Sequence, residues 1–157
     1  MVETGQKAPT FSLSDNERKE RSLEEFMGKK TVLAFFPGAF TSVCMKEACI
    51  LRDEFARLTA LEAQVVGITV DSPFANNGFA QANNLNFPVL SDYSRSTLKE
   101  YGVLHKDFLG LNGYDVAVRS IFVLDRTGIV RYKWIAEDPG KEPNYEEIYN
   151  ELEAIKM

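Results

Sequence analysis

The two cysteines of the chain stand five residues apart, in Pro37-Gly38-Ala39-Phe40-Thr41-Ser42-Val43-Cys44-Met45-Lys46-Glu47-Ala48-Cys49. The stretch follows an apolar run and opens a helical pattern. The first turn of a helix carries unpaired N–H groups and the positive end of the macrodipole, and both favour an anion. A thiol placed there sheds its proton more readily than free cysteine, whose pKa is about 8.5, and the thiolate is the nucleophile. The chemistry expected of this segment is thiol redox catalysis.

The elements that must position the pair alternate between strand and helix. Thr31-Val32-Leu33-Ala34-Phe35-Phe36 reads as a buried central strand, and Pro37-Gly38 ends it. From 42 to 61, Cys44, Ala48, Leu51, Phe55 and Leu58 recur at helical spacing. Residues 64–70 form a second apolar strand closed by Asp71-Ser72-Pro73, and 74–84 a short helix. A brief strand follows at 87–90, then a helix from Ser94 to Tyr101 ending at Gly102. Residues 118–124 and 129–135 flank the turn Asp125-Arg126-Thr127-Gly128 as a hairpin. Asn144 to Met157 reads as a last helix with Tyr145, Ile148, Tyr149, Leu152 and Ile155 on one face. The order predicts an α/β domain with a mixed central β-sheet flanked by helices. With no linker or repeat, residues 1–157 form one domain.

Composition narrows the function. A net charge of −5 disfavours nucleic acid and anionic membrane as partners, and Arg18, Lys19 and Arg21 are interleaved with Glu17 and Glu20. No apolar run is long enough to span a bilayer. The first seven residues lack the features of a signal peptide, so the reading is a cytoplasmic protein. Thiols there stay mostly reduced, and a close cysteine pair suggests catalysis more than stapling. His105 and two cysteines cannot supply a zinc site of four such ligands. No nucleotide, flavin, haem or metal motif is found, so no cofactor is expected and the electrons should come from protein thiols.

Pro37, Thr41 and Cys44 fit Pro-x-x-x-Thr-x-x-Cys, and the chain thereby resembles the peroxiredoxins. Arg119-Ser120-Ile121-Phe122-Val123-Leu124-Asp125 is similar to the second landmark of that family, an arginine opening a hairpin strand. Gly5-Gln6-Lys7-Ala8-Pro9-Thr10-Phe11-Ser12-Leu13 is similar to its usual opening. Cys49, with Glu47 between it and Cys44, resembles the bacterioferritin-comigratory (PrxQ) subfamily, whose resolving cysteine often lies on the same helix. Met45, Ser42 and Val43 depart from the common residues there without removing a reactive group.

The resemblance implies a thioredoxin-like fold and reduction of hydroperoxides by a Cys44 thiolate. Arg119 would stabilise that thiolate and the charge moving to the leaving oxygen. Thr41 would present its hydroxyl to sulfur or substrate, and Pro37 would fix the loop and shield the sulfur. Cys49 would resolve a Cys44 sulfenic acid as a disulfide, recycled by a thioredoxin-like protein. Structural roles stand beside these: Cys44 as a core cysteine, Thr41 as a helix cap, Arg119 as a surface ion pair, Cys49 as an idle helical residue. Glu47 is either a first-turn acid favoured by the dipole or part of the site, and His105 reads as a loop residue. The competing functions are a one-cysteine peroxidase with an outside thiol, a disulfide reductase and a non-enzymatic redox sensor. The oligomeric state, monomer or homodimer, is left open. Five residues along an ideal helix separate Cα atoms by about 8.7 Å, from a rise of about 1.5 Å per residue and a radius of about 2.3 Å. A disulfide rarely spans more than about 7 Å, so closing one here requires the helix to unwind.

Overall fold

The computed structural model describes residues 2–156; Met157, included in the expected last helix, lies outside them. The elements in chain order are β1 (Ser12–Ser14), β2 (Glu20–Ser22), α1 (Leu23–Phe26), β3 (Lys30–Phe35), α2 (Ser42–Asp53), α3 (Phe55–Ala60), β4 (Ala63–Thr69), α4 (Pro73–Ala82), β5 (Val89–Ser91), α5 (Ser96–Tyr101), β6 (Leu104–His105), β7 (Val116–Ala117), β8 (Ser120–Leu124), β9 (Val130–Ile135) and α6 (Tyr145–Ala154). Seven strands make one mixed sheet in the order β2-β1-β5-β4-β3-β8-β9, and β6 and β7 form a separate ribbon. β3 runs parallel to β4, and β4 to β5. β8 lies antiparallel to β3, and β9 to β8.

Side chains alternate across the central strand, as the pleat requires. Leu33 and Phe35 face a core shared with Leu98, Tyr101 and Phe122. Val32, Ala34 and Phe36 face a second core shared with Cys44, Ala48, Leu51, Phe79, Ile148 and Leu152. Helices therefore cover both faces, as the alternating pattern implied. Gly67 on β4 is where this packing demands the smallest residue, because an added Cβ would sit 3.0 Å from the Phe36 ring.

The expected helix over 42–61 is two helices. The chain breaks at Glu54, whose φ of −90° and ψ of 13° leave the helical range. Leu51 and Leu58 stay buried across the break, whereas Phe55, counted on the apolar stripe, is 53% exposed. The last helix ends at Ala154, one residue short of Ile155, and Asn144 caps it by accepting from the Glu147 N–H at 3.1 Å. His105 pairs with Val116 in the ribbon and stacks edge-on against Phe108, which corrects the loop reading. The β1–β2 hairpin has no counterpart in the pattern reading, because its strands are three residues long and its turn is the mixed charge run around Arg18.

The β8–β9 hairpin that carries the site arginine is clamped at its turn. Asp125 is buried and its Oδ1 accepts from the Thr127 N–H, the Thr127 hydroxyl and the Ile129 N–H at 2.9, 2.7 and 3.1 Å. Its Oδ2 accepts from Arg131 Nε at 2.7 Å. Removing the carboxylate leaves several donors unmatched at once, so Asp125→Ala should lose about 3 kcal/mol of stability in urea unfolding. A loss below about 0.5 kcal/mol would contradict this account of the turn.

Candidate active site

Register brings the candidate residues together. Phe35, the last residue of β3, pairs with Ser120, the first of β8. The chain leaving β3 through Phe36 and Pro37 and the chain entering β8 through Arg119 thus meet at one edge of the sheet. From there the loop turns into α2, whose first turns carry Cys44 inward. Cys44 is fully buried among apolar residues, so the core reading holds for the side chain that the chemical reading singles out.

Arg119 fills the gap between them. Its Nη2 donates to Cys44 Sγ at 3.2 Å, its Nη1 to Glu47 Oε1 at 2.9 Å and its Nε to the Pro139 carbonyl at 3.2 Å. Only 2% of the residue is exposed, which corrects the surface ion-pair alternative. Burial works against the guanidinium charge, but Cys44 and Glu47 beside it hold it firmly protonated.

Glu47 is not the first-turn acid that one of its two sequence readings made it. It lies in the second turn of α2 and is fully buried. Burial pushes its carboxyl up to about 7, against the pull of Arg119 and with the help of the nearby Glu142 charge. Its second oxygen, Oε2, has no hydrogen-bond partner among the described residues. The signal for its place in the site was its spacing of three from Cys44, which puts both on one side of the helix.

The loop before α2 is held at several points. Thr41 occupies the N-cap position, yet its side chain does not cap the helix; its hydroxyl donates to the Gly38 carbonyl at 3.2 Å. Pro37 and Gly38 are buried and Thr41 is exposed. Asp71, just past β4, accepts from the Ala39 N–H at 2.6 Å. Pattern reading took Asp71 only as a strand terminator, because nothing local shows that it reaches a loop 32 residues earlier. Phe40 has a φ of +64° and packs its ring on Phe79 of α4 with centroids 5.6 Å apart. Cys49 lies on the same unbroken helix as Cys44, and its thiol donates to Asn83 Oδ1 at 3.5 Å. Both cysteines are free thiols.

A cavity of about 170 Å³ touches Pro37 and Arg119 and is lined further by His105, Phe108, Ala136 and Pro139. A larger one of about 490 Å³ lies between α3 and β4, lined by Leu51, Phe55, Leu58 and Phe87, and contains none of the candidate residues. The smaller cavity, not the larger, adjoins the candidate residues.

A buried sulfur held by an arginine at the head of a helix, on this sheet, is the arrangement of a thiol peroxidase. Comparison with known proteins carries the same conclusion. The model of the AhpC/TSA family matches residues 4–133, and the chain belongs to that family. Over 134 residues it is 38% identical to the Coxiella burnetii protein named peroxiredoxin bcp, covering 85% of this chain and 88% of the other. It is 38% identical over 130 residues to the chloroplastic peroxiredoxin Q of Populus jackii, covering 83% of this chain but 59% of that longer protein. The crystal structure of peroxidoxin BcpB from Mycobacterium tuberculosis superposes over the full length of both chains, with a TM-score of 0.87 at 28% identity. The fold is thioredoxin-like and the activity is thiol-dependent reduction of peroxides. Among the described residues no helix is long and apolar enough to cross a membrane.

The raised Glu47 carboxyl has a signed consequence for stability. Below its ordinary value of 4.5 it is protonated folded and unfolded alike. Between 4.5 and about 7 the folded chain keeps a proton that the unfolded chain releases, so stability falls as pH rises through this window. The loss is at most about 3 kcal/mol. Glu47→Gln lacks this dependence and should gain stability relative to wild type as pH rises across the window, read by thermal unfolding at each pH. A difference that stays constant with pH would contradict it.

Proposed function

We propose that Cys44 is the sulfur that attacks the peroxide and that Cys49 resolves the product. The observation that carries this reading is the 3.2 Å contact from Arg119 Nη2 to Cys44 Sγ. A guanidinium at that distance stabilises negative charge on the sulfur, and its remaining N–H groups would hold the oxygens of an entering peroxide. The Cys44 thiolate attacks one peroxide oxygen. The S–O bond forms as the O–O bond breaks, and the other oxygen leaves, gains a proton and departs as water or alcohol. Sulfur is oxidised by two electrons to sulfenic acid. Pro37 holds the loop over the sulfur, and Thr41 turns its hydroxyl from Gly38 toward the entering substrate.

The Cys49 sulfur then attacks the sulfenic sulfur, forming the S–S bond as the S–O bond breaks, and the proton of the Cys49 thiol leaves with the hydroxyl as water. The ideal-helix separation of about 8.7 Å exceeds the disulfide limit of about 7 Å, so the first turns of α2 must open. Opening releases the Thr41–Gly38, Ala39–Asp71 and Cys49–Asn83 contacts. A dithiol protein of the thioredoxin type reduces the disulfide by exchange and supplies the two electrons. The protein works in a reducing compartment such as the cytoplasm, as a monomer or homodimer.

Cys44→Ser should abolish peroxide consumption coupled to a thiol reductant while leaving the fold in place; turnover above a small fraction of wild type sinks the assignment. Cys49→Ser should complete one attack and then accumulate sulfenic and sulfinic acid at Cys44, visible as added oxygen by mass spectrometry. Cycling with thioredoxin at the wild-type rate would remove Cys49 from the mechanism. On oxidation, amides across 42–53 should lose protection in hydrogen exchange while β3 keeps its own, and unchanged protection would contradict helix opening.

A further inference from the structure

Glu47 and Cys44 compete for one cation. Arg119 offers Nη1 to Glu47 Oε1 at 2.9 Å and Nη2 to Cys44 Sγ at 3.2 Å, and both acceptors belong to fully buried residues. The other ionisable groups facing Glu47 offer no second full charge to offset it. Glu142, ahead of α6, bears the same sign; it pairs with Lys46 at 3.1 Å and accepts from the Tyr145 hydroxyl at 2.7 Å. Tyr145, on α6, stays neutral, because burial and its bond to Glu142 both resist ionisation. Glu47 Oε2 meets no donor among the described residues. Two anions on one buried guanidinium leave an uncompensated negative charge in an apolar site, the least favourable of the available states.

We propose that Cys44 and Glu47 hold a single shared proton, so that Glu47 is the positioning residue that yields Arg119 to the sulfur when Cys44 is a thiolate and reclaims it when Cys44 is oxidised. This rests on Cys44 as the attacking sulfur. The site carries one negative charge before and after reaction, matching the single guanidinium. Before attack the charge is on sulfur and Glu47 is a neutral acid. The S–O bond forms, the O–O bond breaks, and sulfur becomes a neutral sulfenic acid. Arg119 then has only Glu47 to pair with, and Glu47 releases its proton. The leaving oxygen takes up one proton as Glu47 gives one up. Thiolate, carboxylic acid and hydroperoxide become sulfenic acid, carboxylate and alcohol or water, with charge conserved and no net proton drawn from solvent.

The test counts protons. The reduced protein is mixed with one equivalent of hydrogen peroxide in weakly buffered solution near neutral pH, with a pH indicator and a parallel free-thiol assay. Wild type should take up close to zero protons per sulfur oxidised. Glu47→Gln, which keeps the shape but has no proton to release, should take up about one. The acid limb of its oxidation-rate profile should also move to lower pH, because the competing anion is gone. Glu47→Asp should restore near-zero uptake. A residue that only props up Arg119 would leave proton stoichiometry and the pH profile alike in wild type and Glu47→Gln, and that result overturns the proposal. So does uptake of about one proton by wild type. A check without variants is the infrared difference spectrum of wild type on oxidation, which should lose a protonated-carboxyl band; no loss overturns the proposal. If peroxide leaves both thiols intact, the role of Cys44 fails instead, and the thiol assay separates the two failures.

Discussion

One guanidinium ties the site together. Arg119 reaches a sulfur on α2, a carboxylate one turn further along that helix and a carbonyl in the segment after β9, so two separate parts of the chain converge on a buried cation carried by a third. A buried charge is stable only when paired and hydrogen-bonded. The surroundings must therefore place acceptors around Arg119 with little freedom, and the rest of the structure does this. The β3–β8 register sets the arginine beside the loop that leaves β3, the turn at Asp125 fixes the hairpin that carries it, and the apolar face of α2 presses Cys44 and Glu47 toward it.

On the proposed mechanism the same loop must be both firm and able to open. Thiolate chemistry needs Cys44 held against Arg119 with water excluded. The proposed Cys44–Cys49 disulfide needs the two Cα atoms at least about 1.7 Å nearer each other than an intact helix allows. The contacts that hold the loop suit this double duty. A threonine hydroxyl on a carbonyl, an aspartate on one N–H and an aromatic ring laid against α4 are each modest and lie near the surface. Phe40 also occupies a left-handed backbone conformation that a bulky residue adopts at a cost. The sheet ladders and the core around Leu33, Phe35 and Phe122 do not include residues of this loop or of α2.

Much of this was legible in the sequence because the signals were local or periodic. The run Thr31–Phe36, the helical recurrence from Cys44 to Leu51 and the hairpin around Asp125-Arg126-Thr127-Gly128 each carry their own pattern, and the structure contains all three. Cys44 and Arg119 came from motif residues, and the structure sets them in contact. The misses are non-local. The break at Glu54 leaves the apolar spacing intact, so periodicity ran through it and placed the exposed Phe55 in the core. Asp71 acts across 32 residues, and no window of sequence contains both ends of that bond. Glu47 was visible at helical spacing from Cys44, but its burial depends on Arg119 arriving from β8, which only the sheet register reveals.

The proposed role of the Arg119 guanidinium is to make the Cys44 sulfur reactive. Its most direct test is the second-order rate constant for oxidation of Cys44 by hydrogen peroxide, by rapid mixing in the Cys49→Ser background, with and without Arg119→Ala. Removing a preorganised charged donor from the developing charge should slow the reaction by at least about 100-fold. A rate constant that stays within about two-fold of its parent would contradict the account.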